Sequence, residues 1–142
     1  MSTIGFDTSN YTTSTAWTDG KTDINVRQIL YVKDGERGIR QSDGVFQHMK
    51  LMPVMYENLS EQIDFKDVKA VGVSTRPRCV EGSYMPVFLA GEGYAKVVAN
   101  TLGVPLYEFS HQDGHIMAGI YSSGSFELLE KDFISVHLSG GT

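Results

Sequence analysis

A chain of 142 residues that is 41% hydrophobic and 20% charged has the material for one folded domain with its own core. A formal net charge of −5 and a pI near 5.3 argue against a domain that grips nucleic acid unaided, which needs a basic stripe. Arg76-Pro77-Arg78 is too small a cluster to serve as one. The lone cysteine, Cys79, excludes an internal disulfide and fits a reducing compartment. Residues 1–5 lack the charged and apolar regions of a signal peptide, and no apolar run reaches the length of a membrane span, so a cytoplasmic protein with no membrane partner is expected.

Residues 4–9 alternate apolar side chains and predict a strand. Asn10-Tyr11 supplies a turn, residues 12–18 a second strand, and Asp19-Gly20-Lys21 a tight hairpin turn. Residues 24–33 alternate at Ile24, Val26, Ile29 and Tyr31 and complete a three-stranded meander. After a loop over residues 34–43 comes a helix whose stripe is Val45, Met49, Met52, Tyr56 and Leu59, with Ser42 or Asp43 as cap and Pro53 as a kink or late start. Residues 68–74 read as a buried strand, 75–83 as a loop, and 83–102 as a second helix presenting Val87, Gly91, Tyr94, Val98 and Leu102, with Ala90 and Ala95 beside them. Gly103 followed by Pro105 ends that helix. A strand over 104–110 leads into a third helix over 112–122, broken by Gly124, and a last strand starts near Phe133. The order β-β-β-α-β-α-β-α-β predicts an α/β domain: a mixed sheet with a meander followed by α/β crossovers and helices on both faces.

His111 and His115 lie four residues apart on the first turn of the third helix, so both imidazoles leave one face and can reach one metal ion. Histidines at this spacing are also common as plain surface or capped residues. The zinc-protease motif places a glutamate directly after its first histidine. Here that position is Gln112, and the carboxylate, Asp113, points elsewhere round the helix, so a peptidase mechanism is poorly supported. Two histidines leave a catalytic site one protein ligand short. The third must come from Asp7, from another part of the chain, or from residues outside it. The turn around Asp7, Thr8, Ser9 and Asn10 offers hydroxyls and N–H groups to a phosphate, or is a polar hairpin bonding its own backbone. Ser139-Gly140-Gly141-Thr142 is a candidate second phosphate-facing turn. Cys79, between Arg76 and Arg78, reads as an inert loop thiol rather than a nucleophile.

These pieces fall in a telling order: Ile4-Gly5-Phe6-Asp7-Thr8-Ser9, then Thr-Ser-Thr-Ala, Gln47-His48, Gly82-Ser83, Val104-Pro105-Leu106, His111-x-x-Gly-His115-x-x-Ala118 and Leu138-Ser139-Gly140-Gly141-Thr142. The series resembles the N-terminal half of the tRNA threonylcarbamoyl transferase family, the TsaD or Gcp proteins formerly called O-sialoglycoprotein endopeptidases. The resemblance implies an actin-like ATPase (ribonuclease H-like) fold, with residues 1–132 as its first domain and 133–142 as the first strand and glycine turn of a truncated second domain. It implies iron or zinc at His111 and His115, with a third ligand in a C-terminal half, and ATP or an adenylate held by the Asp7–Asn10 and Ser139–Thr142 turns. It implies transfer of a threonylcarbamoyl group to a tRNA adenosine, with tRNA contacts from the missing half or from partners, and no activity in the fragment alone. Alternatives are a metalloendopeptidase, as the old family label claims, and a non-catalytic dimerising paralogue or scaffold. Two departures point to a divergent paralogue or half-protein: Gln112-Asp113 replaces the family's Met-Glu, and residues 76–81 replace its Gly-Pro-Gly-Leu loop. An apolar C-terminal strand without neighbours is a sheet-edge liability, so a protein partner or self-association is expected.

Overall fold

The structure, a computed structural model, describes residues 1–138. Three strands, β1 (Ser2–Asp7), β2 (Thr12–Thr18) and β3 (Asp23–Ile29), form the antiparallel meander, and β4 (Val68–Arg76) and β5 (Leu106–Ser110) add on in parallel beside β1. The sheet order is β3-β2-β1-β4-β5. Helices α1 (Gln41–Ser60) and α2 (Phe88–Leu102) cover one face and α3 (His111–Ser123) lies over the other. Short 3-10 turns occupy Phe65–Asp67 and Phe126–Glu130.

The period of two along β1 decides which face is packed. Ile4 and Phe6 point into the α1/α2 layer and bury against Met52, Leu59, Val71, Val73, Ala95 and Ala99. Phe6 stacks on Tyr56 with ring centres 5.6 Å apart. The opposite face is paved with small residues: Gly5 pairs with Ala16 on one side and Gly72 on the other. Above that floor α3 buries only Ile120, leaving a cavity of about 810 Å³ between helix and sheet.

The helices differ from expectation in instructive ways. The buried stripe of α1 is Gly44, His48, Met52, Met55 and Leu59, about one position round from the predicted one, and Met49 is exposed. Gly44 is inward because α2's approach leaves no room: a Cβ there would stand 2.8 Å from Val87 Cγ1. The helix starts at Gln41 without a side-chain cap and runs straight through Pro53. A proline deprives the carbonyl four residues earlier of its N–H partner. That carbonyl, on Met49, accepts instead from the Tyr94 hydroxyl at 2.9 Å. α2 starts at Phe88, later than predicted, because Pro86 bars helical geometry at Met85. Its buried face is mostly small, with Ala90, Gly91, Ala95 and Ala99 beside Phe88, so it sits close on β1 and β4. Gly103 ends it in the left-handed region at φ 66°.

β3 ends at Ile29 because the next main-chain groups are taken elsewhere. Leu30 N–H donates to Tyr11 O, and the Gln47 amide bonds both the N–H and the carbonyl of Tyr31. The strand expected from Phe133 is not formed: residues 132–138 have no regular structure, since among the described residues they have no strand to pair with. Residues 139–142 lie outside the described residues.

Candidate functional site

The parallel strands β1, β4 and β5 end on one side of the sheet, where open α/β sheets place their ligands. Asp7 stands at the end of β1 and His111 directly follows β5. The topology brings them together across the whole chain: Asp7 Oδ2 lies 2.8 Å from His111 Nδ1. On the other side of that ring, His111 Nε2 is 2.9 Å from His115 Nε2. A carboxylate on one ring nitrogen and a second imidazole facing the other is how ligating histidines are oriented. Asp7, a candidate third ligand in sequence, is thus the partner that orients His111. Among the described residues, no three His, Cys, Asp or Glu side chains are placed to hold a metal ion as they stand.

The helix start is fixed locally. Ser110 caps α3 and forms a capping box: its hydroxyl accepts from Asp113 N–H at 3.1 Å, and Asp113 Oδ2 accepts from Ser110 N–H at 2.8 Å. This assigns Asp113 to the helix and not to chemistry. Gln112 N–H donates to Pro77 O at 3.2 Å, tying the same turn to the loop after β4. Ser110→Ala is expected to cost about 1 kcal/mol of stability, the ordinary worth of such a cap. Thermal melts check it, and an unchanged midpoint would show that the box does not hold the histidine turn.

Electrostatics divide the two histidines. The hydrogen bond to Asp7 raises the pKa of His111; burial opposes it, and the charge of Asp7 adds to the rise. His115 is pushed down by desolvation, then by His111 and His137. Burial works to raise the Asp7 carboxyl, but His111, Ser74 and the Ser9 N–H together hold it below its ordinary value. The two shifts run in opposite directions, His111 up and His115 down.

The turn after Asp7 serves the fold more than a ligand. Thr8 is fully buried; its hydroxyl donates to Val87 O at 2.8 Å and accepts from Gly91 N–H at 2.9 Å. Both bonds pin the turn to the start of α2. Ser9 N–H donates to Asp7 Oδ1 at 2.8 Å, and Asn10 Oδ1 accepts from Gln41 Nε2 at 3.2 Å. The candidate residues Ser139, Gly140, Gly141 and Thr142 lie outside the described residues. Cys79 is exposed, 3.8 Å from the Arg76 guanidinium.

The sequence offers His48 only within the resemblance series, with no expectation of burial: it is fully buried behind this turn with Nδ1 2.7 Å from Thr13 Oγ1. Its Nε2 has no hydrogen-bond partner among the described residues. Its position between Gly44 and Met52 on the inner face of α1 was the available signal. Burial lowers its pKa, although the Ser9 backbone and the Asp7 charge pull the other way. The unfolded chain then binds a proton near pH 6.5 that the folded chain refuses until lower pH, so this contribution to stability is lost as the pH falls below about 6.5. Urea midpoints measured between about pH 7 and pH 5 are expected to fall more for the wild type than for His48→Gln; parallel curves would contradict this.

Fold and site together define an actin-like ATPase-type α/β domain with a carboxylate-oriented histidine pair at the carboxyl ends of its parallel strands. Two solved structures share that fold: YeaZ from Pseudomonas aeruginosa, with a TM-score of 0.54 at 16% identity over 78% of this chain and 43% of that one, and an uncharacterized protein with similarity to peptidase YeaZ, from the same organism, with a TM-score of 0.53 at 15% identity over 77% of this chain and 43% of that one. No protein-family model matches the chain. Curated relatives named tRNA N6-adenosine threonylcarbamoyltransferase match it at 32% identity over 64% of the chain in Christiangramia forsetii and 28% over 89% in Pyrobaculum calidifontis. The Clostridium kluyveri protein of that name matches at 33% over 66%. The chain is similar to these curated relatives at low identity, and it spans only 26% to 36% of their length.

Proposed function

We propose that the chain is the metal-holding lobe of a protein that transfers a threonylcarbamoyl group to a tRNA adenosine. The observation that carries this reading is the hydrogen-bonded series Asp7–His111–His115. Two imidazole nitrogens facing each other, one ring held by a carboxylate, form a donor set that suits zinc or iron. When bound, the ion would supply Lewis-acid polarisation of a carbamoyl oxygen. The chain's own residues do the positioning: Asp7 fixes which nitrogen of His111 is presented, and the capped first turn of α3 fixes the spacing to His115. ATP or an adenylate would lie across the strand ends, with residues 1–132 as the first domain and 133–142 opening a second. The net charge of −5 leaves the tRNA contacts to the rest of a longer chain or to a protein partner in the cytoplasm. No helix is long and apolar enough to cross a membrane among the described residues. The test is transfer of a labelled threonylcarbamoyl group from its adenylate to tRNA by the longest natural form of the chain. Loss of transfer in His115→Ala is expected, and undiminished transfer would overturn the reading.

A non-catalytic pairing role is the second reading. Its supporting observation is the apolar run ending in Ile134, Val136 and Leu138, exposed at 94%, 76% and 88%. Light scattering of this chain is expected to show concentration-dependent association, and a monomer at high concentration would count against it. The peptidase alternative gains nothing, because the residue after His111 is Gln112 and not a base.

A further inference from the structure

We infer that the loop after β4 carries an oxyanion subsite, in which Arg76, with Arg78 beside it, receives the carboxylate or phosphate of a small substrate; this rests on the transfer reading, which makes the carboxyl ends of β1, β4 and β5 the substrate side. Arg76 is the last residue of β4 and pairs in register with Ser110, the residue before His111. Neighbouring strands lie about 4.8 Å apart, so Arg76 leaves the sheet one strand spacing from the histidine turn. The loop that follows is held at several points. Pro77 O accepts from Gln112 N–H at 3.2 Å, Arg78 N–H donates to the Ser83 hydroxyl at 3.0 Å, and Gly82 turns the chain at φ 74°. This is also the stretch, residues 76–81, that replaces the Gly-Pro-Gly-Leu loop of the family the chain resembles.

The two arginines lack a counter-ion. Arg76 is half-buried, yet among the described residues neither it nor Arg78 has a carboxylate within ion-pair reach, Glu81 of the same loop included. The partners of Arg76 are neutral: the Thr75 hydroxyl 3.2 Å from Nη1 and the Cys79 sulfur 3.8 Å from Nη2. A guanidinium carries five N–H donors in a rigid fork that matches carboxylate and phosphate, so most of this fork stays open. A charge drawn partly out of water is costly until an opposite charge meets it, which favours an anion here. Arg78 is exposed and adds a second positive charge two residues on. Two guanidiniums suit one oxyanion, whereas a nucleic-acid backbone calls for a longer basic stripe, and the net charge of −5 works against one. The subsite anchors the acidic end of a substrate whose reacting group lies at the histidine pair, and it selects acidic donors over neutral ones.

The experiment is NMR titration of the isotope-labelled 142-residue chain with N-carbamoyl-threonine, with inorganic phosphate and with the neutral N-carbamoyl-threonine amide, on wild type, Arg76→Ala, Arg76→Lys and Arg78→Ala. The backbone amide spectrum reports each variant's fold. The expected result is saturable shifts in the loop after β4 and the first turn of α3 with at least one of the two anions, and none with the neutral amide. Affinity is expected to fall about 10–100-fold in Arg76→Ala, and by less in Arg76→Lys, which keeps the charge without the fork, and in the exposed Arg78→Ala. The tighter of the two anions identifies the group received as carboxylate or phosphate. No saturable binding of either anion by the wild type, or binding that Arg76→Ala leaves unchanged, would overturn the subsite. The transfer reading is judged separately, by the tRNA transfer assay above.

Discussion

Gly91→Ala is expected to destabilise the chain by about 1–3 kcal/mol, against the direction that helix propensity alone predicts. Alanine in a helix interior is worth about 1 kcal/mol over glycine. Here the new Cβ would stand 2.8 Å from Thr8 Oγ1 and 3.2 Å from Thr8 Cγ2. Thr8 cannot give way, since it is fully buried and held by Val87 O and the Gly91 N–H. Overpacking of this kind costs about 1–3 kcal/mol, and a strained buried hydrogen bond about 1 kcal/mol more, which together outweigh the propensity gain. Urea denaturation measures the outcome. A cycle with Thr8→Ala locates it: the double variant should lose less than the sum of the single losses, because removing the hydroxyl and methyl makes room for the Cβ. A more stable Gly91→Ala protein would mean that α2 does not lie this close to the Asp7 turn.

Asp7→Asn is expected to weaken Zn²⁺ or Co²⁺ binding about 10–100-fold while the fold is kept. The substitution preserves shape but removes the charge that holds His111 Nδ1–H at 2.8 Å. An amide can turn its NH₂ toward that nitrogen and favour the wrong tautomer, directing His111's proton at the metal position. Titration of the variant beside the wild type reads the effect. Equal affinities would reduce Asp7 to a structural partner of Ser9 and Ser74.

The parts of this account visible in the sequence are those with local causes. The meander follows from alternation and from Asp19-Gly20, and the facing of His111 and His115 follows from helical spacing. What escaped depends on contacts made after the chain closes. Asp7 and His111 are 104 positions apart, and only the parallel pairing of β1, β4 and β5 sets them side by side. The burial of Thr8 was hidden for the same reason, since a Thr in a polar turn looks available until α2 is laid over it. The stripe of α1 was misread because hydropathy discounts Gly44 and His48, one inward for its lack of a side chain and the other for its bond to Thr13. Pro53 reads in sequence as a kink or a late start, and the hydroxyl that compensates for it comes from Tyr94 on another helix. The reading of Ser139 to Thr142 rests on its paired glycines and on the resemblance.

The central claim is that His111 and His115, with His111 oriented by Asp7, hold a metal ion. Elemental analysis of the purified, untagged chain after dialysis against zinc or iron, beside His111→Ala/His115→Ala, tests it most directly. About one equivalent of metal in the wild type and none in the double variant is the predicted result. Equal metal in both, or none in either, would contradict the claim and leave the histidine pair a structural feature of the start of α3.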